Sequence, residues 1–163
     1  MVGYKILQAE NQGIYLLKFI GEIRLSLCPT LDNLVESITQ DPEFKTVVID
    51  LTETEIIDST TLGLLAKIAM AAEKQSQFLP TLISTNPDIT RVIISMGFDK
   101  IFIIVREPAS RIEELEEIPV LKASEQQVRD QVLNAHKILM GLNSRNREEF
   151  RNLVRALECE EPT

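Results

Sequence analysis

The residues best placed to do chemistry are Asp58, Ser59, Thr60 and Thr61, which follow an apolar run and open a helical pattern. A junction between a strand and a helix is a natural place for a functional site. Either Asp58 or Ser59 is able to cap this helix with a side-chain oxygen. The free N–H groups and the helix dipole favour a negative charge at such a helix start. A phosphate group on Ser59 would fit that field.

Ser59 follows three acidic side chains closely in sequence, namely Glu53, Glu55 and Asp58. Phosphorylation adds about −1.5 to −2 charge and three acceptor oxygens. Next to these acids, we expect a phosphate to repel any partner surface that pairs with them, so that a binding face is switched off. The same residues also fit a plain helix cap with polar neighbours, because such caps open many helices. Spacing alone does not decide between the two interpretations.

Catalytic and metal chemistry have little support in the sequence. His136 is the only histidine, and we interpret it as a helix-surface residue because no second imidazole or cysteine pair accompanies it. No histidine stands near Ser59 to act as a base, and there is no GxGxxG or P-loop motif. We predict no enzyme activity, no catalytic residue, no metal site and no cofactor. Cys28 and Cys159 are predicted to be free thiols.

The composition is that of a globular protein with a net negative charge. The chain has 163 residues, of which 44% are hydrophobic, and a formal net charge of −8. Binding to nucleic acid or to an acidic membrane surface is disfavoured, because both need clustered Lys and Arg. No apolar run approaches the roughly 18 residues of a spanning helix, and no signal-type apolar core follows the first residues. We expect a cytoplasmic protein.

The apolar patterns predict the element order β-β-α-β-α-β-α-β in the first two thirds of the chain. The continuous β-branched run Val47-Val48-Ile49 is typical of a strand that is covered on both faces, which indicates a central or parallel strand. The predicted strands are 4–8, 14–20, 45–51, 79–84 and 101–105, and the predicted helices are 29–40, 59–75 and 87–96.

The last third of the chain has a different pattern. Glutamates crowd residues 107–117, which we interpret as a mobile or weakly packed connector. One amphipathic helix is predicted to begin at Ser124, and Asn146 with Glu149 forms a possible capping arrangement for a second helix, before Phe150. These two helices either pack on the preceding domain, dimerise, or bind a second protein partner. Packing on the domain is the simplest of these alternatives.

Several segments resemble the signature of STAS domains, the family of bacterial anti-sigma factor antagonists. These segments are Val47-Val48-Ile49-Asp50-Leu51, Ile57-Asp58-Ser59-Thr60-Thr61-Leu62-Gly63-Leu64-Leu65, Gly21-Glu22-Ile23, Asn86-Pro87 and Met96-Gly97-Phe98-Asp99-Lys100-Ile101-Phe102. The resemblance covers about residues 4–105. It implies an α/β fold with a STAS-like mixed sheet of about five strands, followed by an α-helical extension. We therefore predict a STAS domain over 1–106, and the acidic connector with its two helices over 107–163.

The resemblance implies a function in partner switching. In this family the serine that follows the aspartate is the phosphoacceptor, which corresponds to Ser59, with Thr60 as a rival acceptor. The unphosphorylated antagonist binds an anti-sigma factor or a related serine kinase, phosphorylation releases it, and a serine phosphatase resets the system. Here Thr61 replaces the glycine that is usual in the motif. The residues expected to contact the partner are Glu22, Glu55, Asp58, Ser59, Thr60 and Thr61.

Two other classes of function remain as alternatives. A constitutive STAS-type adaptor subunit would brace a larger complex without a phosphorylation cycle, and Ser59 would then be only a helix cap. An enzyme would use Asp50, Asp58 and Ser59, because α/β sheets bind ligands at the carboxyl ends of their strands. The sequence does not decide between a monomer and a homodimer.

Overall fold

The computed structural model describes residues 4–107 and 116–159. Over these residues the chain forms a mixed α/β fold with a seven-stranded sheet. The strands are β1 (Tyr4–Asn11), β2 (Ile14–Ile23), β3 (Thr46–Asp50), β4 (Thr54–Ile57), β5 (Thr81–Ile83), β6 (Ile103–Val105) and β7 (Glu116–Glu117), and the helices are α1 (Cys28–Gln40), α2 (Ser59–Ser76), α3 (Pro87–Ser95), α4 (Glu125–Met140) and α5 (Ser144–Cys159).

The sheet has the order β6-β5-β3-β2-β1-β7. The opening hairpin pairs β1 with β2 in antiparallel fashion, and β2, β3, β5 and β6 run parallel. The prediction of a central, parallel strand is confirmed, since β3 lies between β2 and β5. Val47 and Ile49 are fully buried on one face, whereas Val48 on the other face is half-buried, so the strand is less covered on that face than expected. The five predicted strands and the α/β fold class are therefore confirmed.

Strand β4 was not predicted, and it carries the chain to the candidate site. It pairs in parallel with the last residues of β2, beyond the stretch that pairs with β3. Gly21 of β2, which has a positive φ of 90°, pairs with Thr54, and Glu22 pairs with Ile56, so Glu55 is the extra residue of a bulge in β4. The Gly21 N–H donates to Glu53 O, and the Thr54 hydroxyl donates to Phe19 O. Strands β3 and β4 thus pair with two successive parts of β2.

Helix α4 packs against α2, so that the C-terminal helices share the core of the sheet domain. Ala135 and Leu139 of α4 are fully buried in the same hydrophobic cluster as Leu62 and Ala66 of α2. A Cβ atom added at Gly63 would lie 2.3 Å from the carbonyl oxygen of Ala135, so the two helix backbones meet closely there. Among the alternatives for these helices, packing on the domain is what the structure shows. The domain boundary at residue 106 stays a prediction.

The start of α5 differs from the prediction. Asn143 caps the helix by accepting a hydrogen bond from the Asn146 N–H at 2.7 Å. Asn146 lies inside the first turn, and its buried amide donates to Met96 O at 2.8 Å and to Leu139 O at 2.9 Å. The proposed capping arrangement of Asn146 with Glu149 was wrong, because the Asn146 side chain is used in these tertiary contacts. The predicted helix start at Ser124 is confirmed, and Ser124 forms a capping box with Gln127 at the start of α4.

Most of the predicted glutamate-rich connector, residues 108–115, lies outside the described residues. The part that is described returns to the sheet, because β7 pairs with β1.

The close approach of α2 and α4 predicts a specific effect of Gly63→Ala. Although alanine stabilises an open helix by about 1 kcal/mol relative to glycine, the added methyl group would overlap the Ala135 backbone. We expect the free energy of unfolding to fall by about 2 kcal/mol, which is typical of overpacking. Thermal or urea unfolding of the purified variant measures this change.

The control is Gly141→Ala at the end of α4, where the nearest atom to an added Cβ is Ile138 O at 3.3 Å. We expect this variant to unfold within about 0.5 kcal/mol of the unaltered chain. Equal losses in the two variants would contradict the close packing of α4 on α2.

Candidate functional site

Asp58 holds the junction between β4 and α2. Its N–H donates to Ile23 O, which fixes the end of β4 beside β2. Its carboxylate oxygen Oδ1 accepts from both the N–H and the hydroxyl of Thr61, each at 2.9 Å. Asp58 is therefore the N-cap of α2, and its negative charge lies at the positive end of the helix dipole. The capping role is taken by Asp58 and leaves the hydroxyl of Ser59 free for another contact.

The Ser59 hydroxyl is hydrogen-bonded to His136 of α4, with a distance of 2.7 Å between Oγ and Nε2. The other ring nitrogen, Nδ1, lies 2.7 Å from Val132 O. A carbonyl oxygen only accepts hydrogen bonds, so Nδ1 carries the proton. In the neutral ring Nε2 then holds a lone pair, and the Ser59 hydroxyl donates to it.

Two expectations about His136 were wrong. It was interpreted as a helix-surface residue, but it is 2% exposed and its ring packs edge-on against Phe150 with 4.9 Å between ring centroids. Ser59 was expected to have no histidine nearby, but α4 brings the imidazole to it from 77 residues away. The physical reason is the packing of α4 on α2, which places His136 over the start of α2.

A signal for the burial of His136 was present in the sequence. His136 follows Val132 by four residues and precedes Leu139 by three, so it shares the apolar stripe of the helix. A histidine in a buried stripe needs a polar partner. The sequence pattern did not indicate that Ser59 is this partner, because the contact depends on how α4 crosses α2.

The remaining predicted site residues lie at the same end of the sheet but differ in exposure. Glu22 and Glu55 are on the paired strands β2 and β4, with Glu55 exposed and Glu22 half-buried beside Arg24, 3.6 Å away. Thr60 is 5% and Thr61 is 1% exposed, whereas Ser59 is half-buried. In this conformation Ser59 is the more accessible of the two candidate phosphoacceptors.

Cys28 lies at the start of α1, near this site. Burial raises the pKa of its thiol to about 12, and the carboxylates of Asp32 and Asp58 act in the same direction. The thiol is therefore protonated at neutral pH and is a poor nucleophile. Cys28 and Cys159 are both free, as predicted.

The nearby Glu53 carboxylate forms an ion pair with Lys18, whose side chain is largely buried. The charge of Glu53 is therefore compensated within the chain.

A cavity of about 550 Å³ opens beside the carboxyl ends of β5 and β6. Its lining includes Ser84, Thr90, Arg91, Arg106 and Arg145, but neither Ser59 nor His136. The Ser59–His136 pair thus lies outside this cavity.

Within residues 4–107 and 116–159, no group of three or more acidic, histidine or cysteine side chains is arranged to hold a metal ion. No helix in the same part of the chain has the length and apolarity needed to cross a membrane.

The cap geometry predicts how changes at Asp58 affect stability. Asp58→Ala removes the acceptor for the Thr61 N–H and hydroxyl, and we expect it to lower the free energy of unfolding by about 1 kcal/mol. Asp58→Asn keeps a side-chain oxygen at the cap and should retain most of this stability. Urea unfolding of the two variants measures the difference, and equal stability of Asp58→Ala and the unaltered chain would show that this cap contributes nothing.

Solved structures of anti-sigma factor antagonists have a similar fold. An anti-sigma factor antagonist from Mycobacterium paratuberculosis has a TM-score of 0.56 and 24% identity, covering 64% of this chain and 87% of that one. The anti-sigma factor antagonist SpoIIAA in its unphosphorylated form has a TM-score of 0.54 and 13% identity, covering 80% and 96%. The Bacillus cell fate determinant SpoIIAA in its phosphorylated form has a TM-score of 0.51 and 13% identity, covering 80% and 99%. At these identities the likeness shows the fold alone.

A comparison with curated protein sequences gave no match. The family model described as the STAS domain matches residues 5–114, which is more than half of the chain. This match agrees with the resemblance of the segments around β3, β4 and α2 and with the mixed sheet. The chain belongs to the STAS domain family.

Proposed function

We propose that this protein is an anti-sigma factor antagonist that acts in a partner-switching pathway in the cytoplasm. The unphosphorylated form binds an anti-sigma factor or a serine kinase of that type, and phosphorylation of Ser59 releases it. A serine phosphatase then restores the binding form. The protein has no enzymatic turnover of its own in this cycle.

The observation that carries the proposal is the position of Ser59. It is the first residue of α2, directly after the N-cap Asp58, and it is half-buried while Thr60 and Thr61 are buried. Its hydroxyl is not used to cap the helix, since Asp58 does this. The constitutive adaptor hypothesis treats Ser59 as only a helix cap. Because Asp58 caps the helix, the geometry supports another role for Ser59.

The charges around Ser59 support a switch based on repulsion. Glu55 is exposed on β4, and Asp58 and Glu22 are partly exposed close to it in the fold. A partner that binds this edge must complement these acids. A phosphate on Ser59 adds about −1.5 to −2 charge there, which changes the electrostatic surface that a partner contacts.

The descriptions of the similar solved structures support the same proposal. Two are described as anti-sigma factor antagonists, and SpoIIAA has been solved in both an unphosphorylated and a phosphorylated form. Membership of the STAS family is consistent with this role.

We expect Ser59 to be phosphorylated in the native host in a manner that depends on growth conditions. Intact-mass and fragment mass spectrometry of the protein from growing and stressed cells tests this. Phosphate on Ser59 that changes with condition supports the switch. Phosphate on Thr60 instead would show that Thr60 is the phosphoacceptor. The absence of phosphate under every condition would favour the constitutive adaptor.

Variants at Ser59 separate a switch from a constitutive adaptor. Ser59→Ala should still bind the partner, whereas Ser59→Asp should bind it at least about tenfold more weakly, which corresponds to about 1.4 kcal/mol. Binding is measured by calorimetry with the protein that copurifies with the unaltered chain. Equal affinity of the two variants argues against the switch.

A further inference from the structure

His136 is placed to exchange a proton with the Ser59 hydroxyl. The hydroxyl oxygen Oγ and the imidazole Nε2 are 2.7 Å apart, which is within the reach needed for a base that removes a proton from a nucleophile. The carbonyl of Val132 binds Nδ1 and sets the ring so that Nε2 faces Ser59. A nucleophile, a base in contact with it and a third group that orients the base are the features of an activated nucleophile.

The imidazole is held in place from two sides. Phe150 of α5 packs edge-on against the ring, and its neighbours in α4, Ala135 and Leu139, are fully buried. With 2% of its surface exposed, His136 has little freedom to turn away from Ser59. Preorganised groups of this kind lose little entropy when the reaction occurs.

We propose that His136 is the general base for phosphorylation of Ser59 and the general acid for its reversal. This inference rests on the proposed function, because it assumes that Ser59 is the phosphoacceptor. The phosphoryl donor is a nucleoside triphosphate bound by the partner kinase. The 550 Å³ cavity at β5 and β6 is lined by neither Ser59 nor His136.

The forward step is balanced without a further reactant. The Ser59 Oγ attacks the γ-phosphorus of the donor, the bond from this phosphorus to the bridging oxygen breaks, and a nucleoside diphosphate leaves. The hydroxyl proton passes to Nε2 of His136, which becomes an imidazolium with its Nδ1–H still bound to Val132 O. The imidazolium then faces the new phosphate and pairs with it through a charge-assisted hydrogen bond.

The reverse step uses the same proton. When a phosphatase directs water to the phosphorus, the bond between phosphorus and Oγ breaks and phosphate leaves. The imidazolium returns its proton to Oγ and regenerates the neutral pair. The same residue thus serves in both directions, with one proton moved between two atoms that are already in contact.

A small phosphorylating reagent tests the proposal without the kinase. Diisopropyl fluorophosphate reacts with activated serine hydroxyls: Oγ attacks phosphorus, fluoride leaves, and the proton passes to the base. The full-length chain is incubated with the reagent, and intact-mass and peptide mass spectrometry give the rate and position of labelling. We expect labelling at Ser59 ahead of Ser124, which is more exposed but whose hydroxyl contacts no histidine.

The decisive variant is His136→Gln, which keeps a hydrogen-bonding side chain but cannot take the proton. We expect it to be labelled on the order of 100-fold more slowly, in line with the contribution of general bases. Lys137→Gln, on the exposed side of the same helix, is the matched control and should react at the unaltered rate. Ser59→Ala should take no label at this peptide.

Two outcomes overturn the proposal: equal labelling rates in His136→Gln and the unaltered chain, or labelling of the unaltered chain that does not favour Ser59. The second criterion needs no variant, so it holds even if His136→Gln fails to fold, which far-UV circular dichroism reveals. Failure of the proposed function is a separate result. It is the absence of phosphate on Ser59 in the host, and the reagent assay does not depend on it.

Discussion

The close approach of α2 and α4 at Gly63 is the contact on which the candidate site depends. A residue with any side chain at this position would push the Ala135 backbone away, since even a Cβ atom would lie 2.3 Å from its carbonyl oxygen. Because the helices meet here, the next residue of α4, His136, reaches the first residue of α2. The geometry at Ser59 is thus set by a helix that lies 60 or more residues further along the chain.

The sheet and the C-terminal helices each position one side chain of this site. The sheet positions Ser59, because β4 pairs with the end of β2 and leads directly into the N-cap Asp58. The C-terminal helices supply the imidazole and hold it, because α5 places Phe150 against the ring. The family model ends at residue 114, so the serine lies within the matched region and the histidine beyond it. The C-terminal extension therefore adds an imidazole, that of His136, to a site whose serine lies within the matched region.

The sequence patterns predicted the elements with strong periodicity and missed those that depend on distant pairing. The β-branched run Val47–Ile49 was sufficient to predict β3, and the apolar stripe of α2 was sufficient to predict α2. Strand β4 was missed because its four residues alternate weakly and include the exposed Glu55, so its extended form comes from pairing with the end of β2. His136 was misplaced because a lone histidine was judged by its polarity rather than by its position between Val132 and Leu139. The contact with Ser59 needs the crossing of two helices, which local pattern does not contain.

The buried amide of Asn146 ties three parts of the chain together. One side chain donates to carbonyls at the end of α3 and at Leu139 of α4, while its own backbone N–H is held by Asn143. Pulling α5 away would break both side-chain hydrogen bonds of Asn146 at once, and only Leu139 O would keep another donor, the Leu142 N–H. Each buried group left without a partner costs about 1 to 3 kcal/mol. The two C-terminal helices are therefore expected to open and close as one cooperative unit, with the environment of Ser59 changing in a single step.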